Sequence, residues 1–475
     1  MSPAAEPLDT WAAQFAAWCK AYYDSVPEDV IDLAALQLYD SLACASGAIG
    51  SAPVRVIEGV ISGSGPPEVS LLFSKERVSI PDAILFNGTA IRYLDANDVF
   101  LAGSPIGHPS DNIPVALALG ESVGTSGRDV LAAVAVSYEM LWRLRTSVFE
   151  LASGDAAWDG VSVSGIIAAT ITALLAKVDT LTCANAISIA ASKGYALREI
   201  RHGEISGLKA AANALVAREG AVAGLLAIHG MTGPPAVFEG QRGLIRTLGG
   251  DPTTELLSLL CRPPEWAIRR VSIKAYPAVA MAQSAIAAAC EIAAAEGFDS
   301  ARMDSIRIRL PNTAWSRGAG LTGEPPVPKT RESADHSIPF LVALALTEGD
   351  VAPVHFEREA WHAPALLDLL RRTTIELDDR LASEAGYGFP AVVSVRGPDG
   401  DEFTSEVMDA PGSPRAPWGV HEIAEKFVRL DAIGLSKERH EDLRSAVLDL
   451  ARSPSMSDLL TALTPPHSPT GGTIG

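Results

Sequence analysis

The hydrophobic pattern of this 475-residue chain changes its period twice, and this change constrains the fold more than any other feature. Up to about residue 270, apolar residues recur at helical intervals. Residues 271–418 combine helical stretches with short segments of alternating apolar and polar residues, and residues 419–464 are helical again. This pattern predicts a mainly α protein with an α+β part: a large all-helical domain built from both chain ends (1–270 and 419–464) and a smaller inserted α+β domain (271–418). Residues 465–475 are predicted to be a flexible tail.

The same pattern predicts individual elements. The longest helical run covers residues 206–229, with Ser206 as the expected N-cap and Gly230 after its end. Further helices are predicted over 28–48, 113–146, 161–177, 181–192, 278–296 and the segment SADHSIPFLVALALTEG. Strands are predicted at EVSLLF, RVSI, SIRIRL, TIELD, AVVSVRG and EFTSEV.

The formal net charge of −19 excludes one broad class of function. So acidic a surface repels a phosphate backbone, and no nucleic-acid partner is expected. The first residues, MSPAAEPLDTWAAQF, lack the basic start and apolar run of a signal peptide. Polar groups interrupt the apolar stretches before about 18 residues, so we expect no membrane contact and a cytoplasmic protein.

Residues 94–112, LDANDVFLAGSPIGHPSDN, hold the first candidate group. His108 follows an acid-rich turn that contains Asp95, Asn97 and Asp98. A histidine within reach of carboxylates has a tunable pKa and can transfer protons near neutral pH. Spacing alone does not show that reach, and the same turn also fits an Asx-turn and helix cap.

A second group surrounds the start of the long helix. Lys209 and Asn213 lie four residues apart on one helix face, and Arg201 and His202 precede them. A lysine within an alanine-rich helix either extends its ammonium to solvent or anchors a carboxylate at a site. The residues alone leave both interpretations open.

Two further groups lie in the inserted region. Their candidate binding residues are Lys274, Tyr276, Gln283 and His336. The first three also fit a strand followed by a helix entered at Pro277. His336 lies between Asp335 and Ser337, which also fit helix caps. The chain contains no P-loop, GxSxG, GxGxxG or HExxH motif, and its cysteines lack the spacing of zinc ligands.

Taken in order, seven stretches of the chain resemble the MmgE/PrpD family, which includes 2-methylcitrate dehydratases, cis-aconitate decarboxylase and iminodisuccinate epimerase. They are NGTAIRYLDANDV, GHPSDNIPVALALGESVGTSGRDVLAAVAVSYEMLWRL, AWDGVSVSG, ISGLKAAANALVAREGAVAGLLAIHGMTGP, IKAYP, TRESADHSIPFLVALAL and GSPRAPWG. The resemblance implies a helical domain and an α+β lid with the site between them, usually in a homodimer and without metal or organic cofactor. It also implies small di- and tricarboxylate substrates that lose water or carbon dioxide, or are epimerised, by proton transfer beside a carboxylate.

The resemblance assigns roles to residues of this chain. Asp95 and Asp98 correspond to acidic residues of the first site loop, His108 to its proton-transferring histidine, and Lys209 to a helix lysine that faces the substrate's carboxylates. The predicted catalytic residues are therefore Asp95, His108 and Lys209. The predicted substrate-binding residues are Asn97, Asp98, Arg201, His202, Lys274, Tyr276, Gln283 and His336.

The chain departs from the family at three places where a polar side chain is common. Gly160 lies near the position of a histidine, Val279 and Met281 lie where dehydratases carry a glutamate and a histidine, and Phe340 replaces a tyrosine. Because proton-transfer groups are not exchanged for such residues without cost, 2-methylcitrate itself is not the expected substrate.

Three hypotheses about function follow. The first is a cofactor-independent lyase, a dehydratase or decarboxylase, acting on a small carboxylic acid. The second is an isomerase or cyclase of the same fold acting on a less polar substrate of specialised metabolism. The third is a catalytically inactive ligand-binding homologue, against which the retained Asp95, His108 and Lys209 argue.

Overall fold

The structure is a computed structural model of the chain. It describes residues 10–63, 65–101, 105–148, 158–201, 205–252, 266–319, 321 and 326–465. The predicted binding residue His202 and nearly all of the predicted tail lie outside the described residues.

Helices dominate the described residues. They are α1 (Trp11–Tyr23), α2 (Glu28–Ser46), α3 (Ala52–Ile61), α4 (Ile80–Tyr93), α5 (Ile113–Val123), α6 (Gly127–Thr146), α7 (Val163–Leu175), α8 (Thr180–Ala191), α9 (Leu208–Ile228), α10 (Leu244–Thr247), α11 (Gln283–Ala293), α12 (Ala314–Gly318), α13 (Arg331–Ala334), α14 (Ile338–Glu348), α15 (Pro353–Glu357), α16 (Pro364–Arg371), α17 (Asp379–Glu384), α18 (Val420–Leu430), α19 (Lys437–Leu448) and α20 (Ser457–Leu463). The predicted run 113–146 is divided into α5 and α6 by Gly124, whose φ of +63° ends α5.

Helix α9 lies at the centre of the helical part, against α4, α7 and α8. Small residues permit this packing, because a Cβ on Gly220 would lie 2.2 Å from the carbonyl oxygen of Gly165 in α7. The prediction that Ser206 caps this helix is wrong: Gly207 is the N-cap, with no side-chain hydrogen bond, because the helical conformation begins only there. Among the described residues, α9 alone is long and apolar enough to cross a membrane, and 61% of that apolar window is buried inside the fold, as in a core helix.

Three small sheets accompany the helices. Their strands are β1 (Val69–Ser70), β2 (Arg77–Val78), β3 (Val99–Leu101), β4 (Pro105–Gly107), β5 (Val271–Ser272), β6 (Ser305–Pro311), β7 (Thr373–Asp378), β8 (Ala391–Arg396) and β9 (Glu402–Val407). The four strands predicted in the inserted region are confirmed and form one sheet in the order β7–β6–β8–β9, with β6 parallel to β7 and antiparallel to β8. The segments EVSLLF and RVSI contribute only the short β1 and β2.

The sheet β4–β3–β5 has no counterpart in the predicted elements. It pairs β3, which directly follows the acid-rich turn, with β5, so that Val99 lies opposite Ser272. Successive side chains of a strand point to opposite faces. Accordingly, Phe100 belongs to a buried apolar cluster made mostly from the helices of both chain ends, whereas Val99 and Leu101 belong to a second cluster with α11, α14 and the four-stranded sheet. The mainly α fold with an α+β part is thus confirmed, and the turn before β3 lies at the boundary of two cores.

Candidate functional site

The acid-rich turn centres on Asp95, a buried carboxylate contacted by three cations. Arg92 Nη1 donates to Asp95 Oδ1 at 2.6 Å, Lys274 Nζ donates to the same oxygen at 2.6 Å, and Lys209 Nζ donates to Oδ2 at 3.1 Å. Lys274 Nζ also donates to the backbone carbonyl of Asp95 at 2.7 Å. Asp95 has a φ of +55°, a left-handed conformation that aspartate tolerates better than most residues. The turn therefore directs one carboxylate at side chains from α4, α9 and the segment after β5.

A second carboxylate, Asp335, faces Asp95 across Lys209. Lys209 Nζ lies 3.1 Å from Asp335 Oδ1 and 3.2 Å from Oδ2. His336 Nδ1 lies 3.2 Å from the same ammonium and contacts Asp335 Oδ1. Arg331 Nη1 donates to Asp335 Oδ2 at 3.3 Å. Lys209, whose side chain is buried, therefore joins the helical part to the inserted region through one ion cluster.

Electrostatics keeps the central carboxylate ionised. Burial alone favours its neutral form, but Arg92, Lys209 and Lys274 outweigh burial and hold the pKa of Asp95 well below its usual range. Burial also lowers the pKa of Lys274 to about 8, although Asp95 opposes this shift. Four cations (Arg92, Lys209, Lys274 and Arg331) contact the carboxylates of Asp95 and Asp335. This concentration of cationic groups suits an anionic ligand.

His108 lies beside this cluster as a neutral imidazole. Its Nδ1 is 2.6 Å from the backbone carbonyl oxygen of Asp98, so Nδ1 carries the proton. Its Nε2 is 3.2 Å from Arg92 Nη2 and accepts from that guanidinium. Burial, together with the positive charges of Arg92 and Lys274, places the pKa of His108 well below its usual range. The lone pair of Nε2 therefore points at the same arginine that binds Asp95.

The rest of the turn is held by buried polar contacts. Tyr138 donates its hydroxyl to Asp98 Oδ2 at 2.6 Å, and the Ser110 amide donates to Asp98 Oδ1 at 3.2 Å. Asn97 Nδ2 donates to Asp111 Oδ1 at 3.1 Å. Burial raises the pKa of Asp98 to about 7 and that of Asp111 to about 6. Asp98 and Asn97 thus make contacts within the protein that fix the turn.

Lys426 secures the turn from the C-terminal helix α18. Its fully buried ammonium donates to Asp40 Oδ1 of α2 at 2.5 Å and to the carbonyl oxygen of Ala96 at 2.8 Å. Lys426 and Lys274 therefore hold two consecutive carbonyl groups, those of Ala96 and Asp95. Two ammonium groups fix the backbone that carries the central carboxylate.

Two predicted binding residues make their contacts elsewhere. Gln283 uses its whole side-chain amide on backbone: Oε1 accepts from the amides of Ala275 and Tyr276 at 3.0 and 3.1 Å, and Nε2 donates to the carbonyls of Tyr276 and Ala278 at 3.1 and 3.2 Å. The ring of Tyr276 lies 5.9 Å from the guanidinium carbon of Arg429. Gln283 shapes the loop that follows Lys274.

Arg201 pairs with a carboxylate outside this cluster. Its Nε is 2.7 Å from Asp159 Oδ2. Asn213, one turn after Lys209, donates to Ser164 Oγ at 3.0 Å. The structure thus brings Asp95, His108, Lys209, Lys274 and His336 together and places Arg201 in a neighbouring ion pair.

Sequence analysis missed Arg92, which links Asp95 to His108, and also Arg331, Asp111 and Tyr138. Arg92 is 3% exposed in the last turn of α4. A basic residue at a helix C-terminus is ordinary, because it offsets the helix dipole. The one available signal was its place three residues before Asp95, a spacing that would bring the two side chains together if the helix continued.

The apolar departures from the family pattern have two different surroundings. Val279, Met281 and Phe340 are 6%, 3% and 1% exposed and belong to the second apolar cluster. Gly160 lies against Arg145, whose guanidinium carbon would be 3.1 Å from a Cβ at position 160. A side chain at position 160 would displace that guanidinium.

Asp95, Asp335 and His336 are close enough together to hold a metal ion by distance alone. The Nζ atom of Lys209, however, is 3.1 Å from a carboxylate oxygen of each acid and 3.2 Å from His336 Nδ1. The three groups therefore surround an ammonium, which does not fit a metal ion at that point.

The comparisons with known proteins identify the family of the chain. The MmgE/PrpD N-terminal domain matches residues 13–257 and the MmgE/PrpD C-terminal domain matches residues 276–451. The chain belongs to the MmgE/PrpD family, as its sequence motifs predicted, and is an enzyme of the lyase type found there.

Individual relatives are distant but cover most of the chain. Cis-aconitate decarboxylase-like protein oryM of Aspergillus oryzae is 24% identical over 463 residues, which are 92% of this chain and 94% of that protein. Cis-aconitate decarboxylase of Aspergillus terreus is 21% identical over 476 residues, 96% of this chain and 95% of that protein. Alkylcitrate dehydratase phiI of a fungal species is 29% identical over 389 residues, 74% of this chain and 72% of that protein.

Proposed function

We propose that the protein is a cofactor-independent lyase that acts on a small carboxylic acid by proton transfer next to a carboxylate. The observation that carries this proposal is the convergence of Arg92, Lys209 and Lys274 on Asp95 beside a neutral His108. Buried cations are costly unless anions pair with them. A substrate carboxylate is the anion that this family of reactions supplies.

Binding and activation use the same cations. A substrate carboxylate that takes a hydrogen bond from Arg92 competes with His108 Nε2 for that guanidinium. Nε2 is then available as a general base for a proton on the carbon next to the carboxylate. Lys209 and Arg92 stabilise the enolate-like charge that develops when this proton leaves.

The resting protonation states supply one proton acceptor and one proton donor, which suits dehydration and decarboxylation alike. His108 starts neutral, so its first step is to take a proton, whereas decarboxylation requires a group that gives one to the new carbanion. Lys274, with a pKa of about 8, is matched to give up one of the protons that face Asp95. In dehydration a leaving hydroxide takes this proton, so that the C–O bond breaks and water departs; in decarboxylation the carbanion left by carbon dioxide takes it. Exchange with solvent then restores the proton of Lys274 and removes the proton from His108.

The test is conversion of defined acids by the purified protein. The acids tested are cis-aconitate, 2-methylcitrate and citrates with a longer alkyl chain. We expect an acid other than 2-methylcitrate to yield an unsaturated product with loss of water or carbon dioxide, followed by NMR. His108→Ala lowers turnover by about 10²–10⁴-fold, the range for a general base. His421→Ala is the matched control, because His421 is 80% exposed and pairs only with Glu425 among the described residues. No conversion of any acid, or equal turnover in the two variants, contradicts the proposal.

The same screen separates the other hypotheses. An isomerase or cyclase acting on a less polar substrate gives a product of unchanged formula, and an inactive homologue binds an acid without changing it. Val279, Met281 and Phe340 are buried in an apolar core and therefore offer no contact to the less polar substrate of an isomerase or cyclase.

We further propose that the protein acts as a cytoplasmic homodimer. Light scattering of the purified protein tests the dimer, and fractionation of cells that express it tests the location. No metal or organic cofactor is needed in this scheme, because the ammonium of Lys209 supplies the positive charge at the centre of the cluster. Retained activity after extensive dialysis against a chelator is the expected result.

A further inference from the structure

A small cavity lies beside the site lysine Lys274, on the side of the inserted region. Its volume is about 20 Å³. Its lining includes Val99 of β3, Ser272 of β5, Lys274, Phe389 and Ser413. A buried water needs roughly 10–15 Å³ and two to four polar partners, so this cavity has room for one water molecule.

Two hydroxyl groups at this cavity have no partner within the described protein. Ser272 Oγ and Ser413 Oγ make no hydrogen bond to any described residue. Ser272 is 7% exposed and Ser413 is 4% exposed, so bulk solvent does not satisfy them. A buried polar group without a partner destabilises the folded state, and two in one small cavity indicate a shared ligand.

The fold brings these hydroxyls together by a specific backbone contact. The amide of Ile273 donates to the carbonyl oxygen of Gly412 at 2.8 Å, which docks the turn after β9 onto the segment after β5. Gly412 has a φ of +83°, and a Cβ there would lie 2.1 Å from the carbonyl oxygen of Ile273. Only glycine permits this approach, and the next residue along the chain is Ser413.

Lys274 supplies a third polar group. An ammonium has three donors, and among the described residues Lys274 Nζ gives two of them, both to Asp95, through Oδ1 at 2.6 Å and the backbone carbonyl at 2.7 Å. One N–H remains for a further acceptor. A water oxygen bonded to this N–H and to the hydroxyls of Ser272 and Ser413 would have three partners, the usual number for buried water.

We propose that this cavity binds one structural water molecule, which Ser272 and Ser413 hold and which solvates the ammonium of Lys274. Through this water, the turn 410–416, which carries Ser413, is connected to the ammonium of Lys274, which contacts Asp95. Without it, the charged form of Lys274 is less well solvated, and its pKa falls further below that of an ordinary lysine. The role of Lys274 in turnover rests on the proposed function, whereas the presence of the water does not.

The experiment compares Ser272→Ala and Ser413→Ala with a matched control. Ser137→Ala is that control, because Ser137 is equally buried but donates to the carbonyl of Val134 within its own helix. A crystal structure of the full chain at a resolution that shows ordered waters should contain one water within hydrogen-bond distance of both hydroxyls. The alkaline limb of the kcat/KM profile should move to lower pH by about half a unit or more in both site variants, and not in the control.

The proposal requires both the ordered water in the crystal structure and the shift of the alkaline limb in the serine variants. An ordered structure without that water, or a limb that stays in place in both serine variants, overturns the proposal. A purely structural role for the serines would lower the thermal midpoint without moving the limb. If the wild-type protein converts none of the acids, the proposed function fails, and the water is then tested by the crystal structure and by NMR titration of the Lys274 ammonium in the wild type and in Ser413→Ala.

Discussion

Replacing Lys209 by methionine removes the cation between the two buried carboxylates while nearly preserving side-chain volume. Asp95 keeps Arg92 and Lys274, each at 2.6 Å, so most of the loss falls on Asp335. The remaining cation of Asp335 is Arg331, whose Nη1 lies 3.3 Å from Oδ2. Removing one partner of a buried ion pair costs about 3–5 kcal/mol, and the retained arginine places Lys209→Met near about 3 kcal/mol.

The same substitution should reduce turnover. If Lys209 stabilises charge that develops in the transition state, its loss costs about 3 kcal/mol of activation free energy, which is roughly 150-fold in rate. The thermal midpoint and kcat/KM with the best acid of the screen measure the two effects separately. Lys177→Met is the control, because Lys177 is 66% exposed and its pair with Asp129 contributes about 0–1 kcal/mol.

The stability effect should depend on pH. Lys209 is a main cause, against burial, of the lowered pKa of Asp335. A carboxyl whose pKa is lowered by folding contributes stability above its unfolded pKa of about 3.9, and this contribution is lost as the pH falls through the folded value. The gap between wild type and Lys209→Met should therefore narrow below about pH 4. Stability and turnover equal to those of Lys177→Met at neutral pH would refute the role of Lys209.

Three further predictions concern the surrounding groups. Lys274 has a pKa of about 8, so kcat/KM should fall as the pH rises through 8. Lys274→Arg should remove this fall from the pH–rate profile. If the fall is unchanged in the variant, it belongs to another group. Burial raises the pKa of Asp98 to about 7, so between about pH 4 and 7 this carboxyl is protonated in the folded state and ionised in the unfolded state. The free energy of unfolding therefore decreases as the pH rises across that window. Asp98→Asn should remove this slope from thermal midpoints, and a slope that persists contradicts the assignment. Lys426→Met leaves Asp40 buried without its ammonium and should lower the free energy of unfolding by about 3–5 kcal/mol. Adding Asp40→Asn to this variant should recover much of the thermal midpoint. It should not recover turnover, because the Ala96 carbonyl still lacks its donor. Recovery of both would show that Lys426 has no part in positioning the turn.

The residues that sequence analysis predicted and the structure brings together lie in continuous motifs with unusual neighbours. From its sequence, Lys209 could extend its ammonium to solvent or contact a carboxylate. Its 4% exposure and its bonds to two carboxylates exclude the solvent-exposed interpretation. Asp95 fitted both a turn and a charged cluster, and the structure shows both, because its left-handed backbone and its ion pairs occur together. The local sequence pattern was sufficient to predict which residues meet where one segment carries both the backbone turn and the charged side chains.

Other features depend on distant parts of the chain and had no local signal. Gln283 was predicted to bind substrate, yet four backbone groups of the preceding loop use its amide, which only the path of that loop determines. Lys426 belongs to an amphipathic helix, α18, in which a lysine is expected on the solvent-exposed face. It is only 1% exposed, because α18 packs against α2. The strands β3 and β5 escaped prediction because each is only two or three residues long and is defined by pairing.

The contact between Lys426 and Asp40 has a consequence for synthesis of the protein. The two residues are 386 positions apart, and translation at about 5–20 residues per second separates their emergence by roughly 20–80 s. During that interval α2 carries a carboxyl without its cation, and the apolar face that later receives Phe427 stays open. A nascent chain in this state is a substrate for chaperones, so slow translation or early termination before residue 426 should favour aggregation over an enzyme with only its C-terminal helices missing.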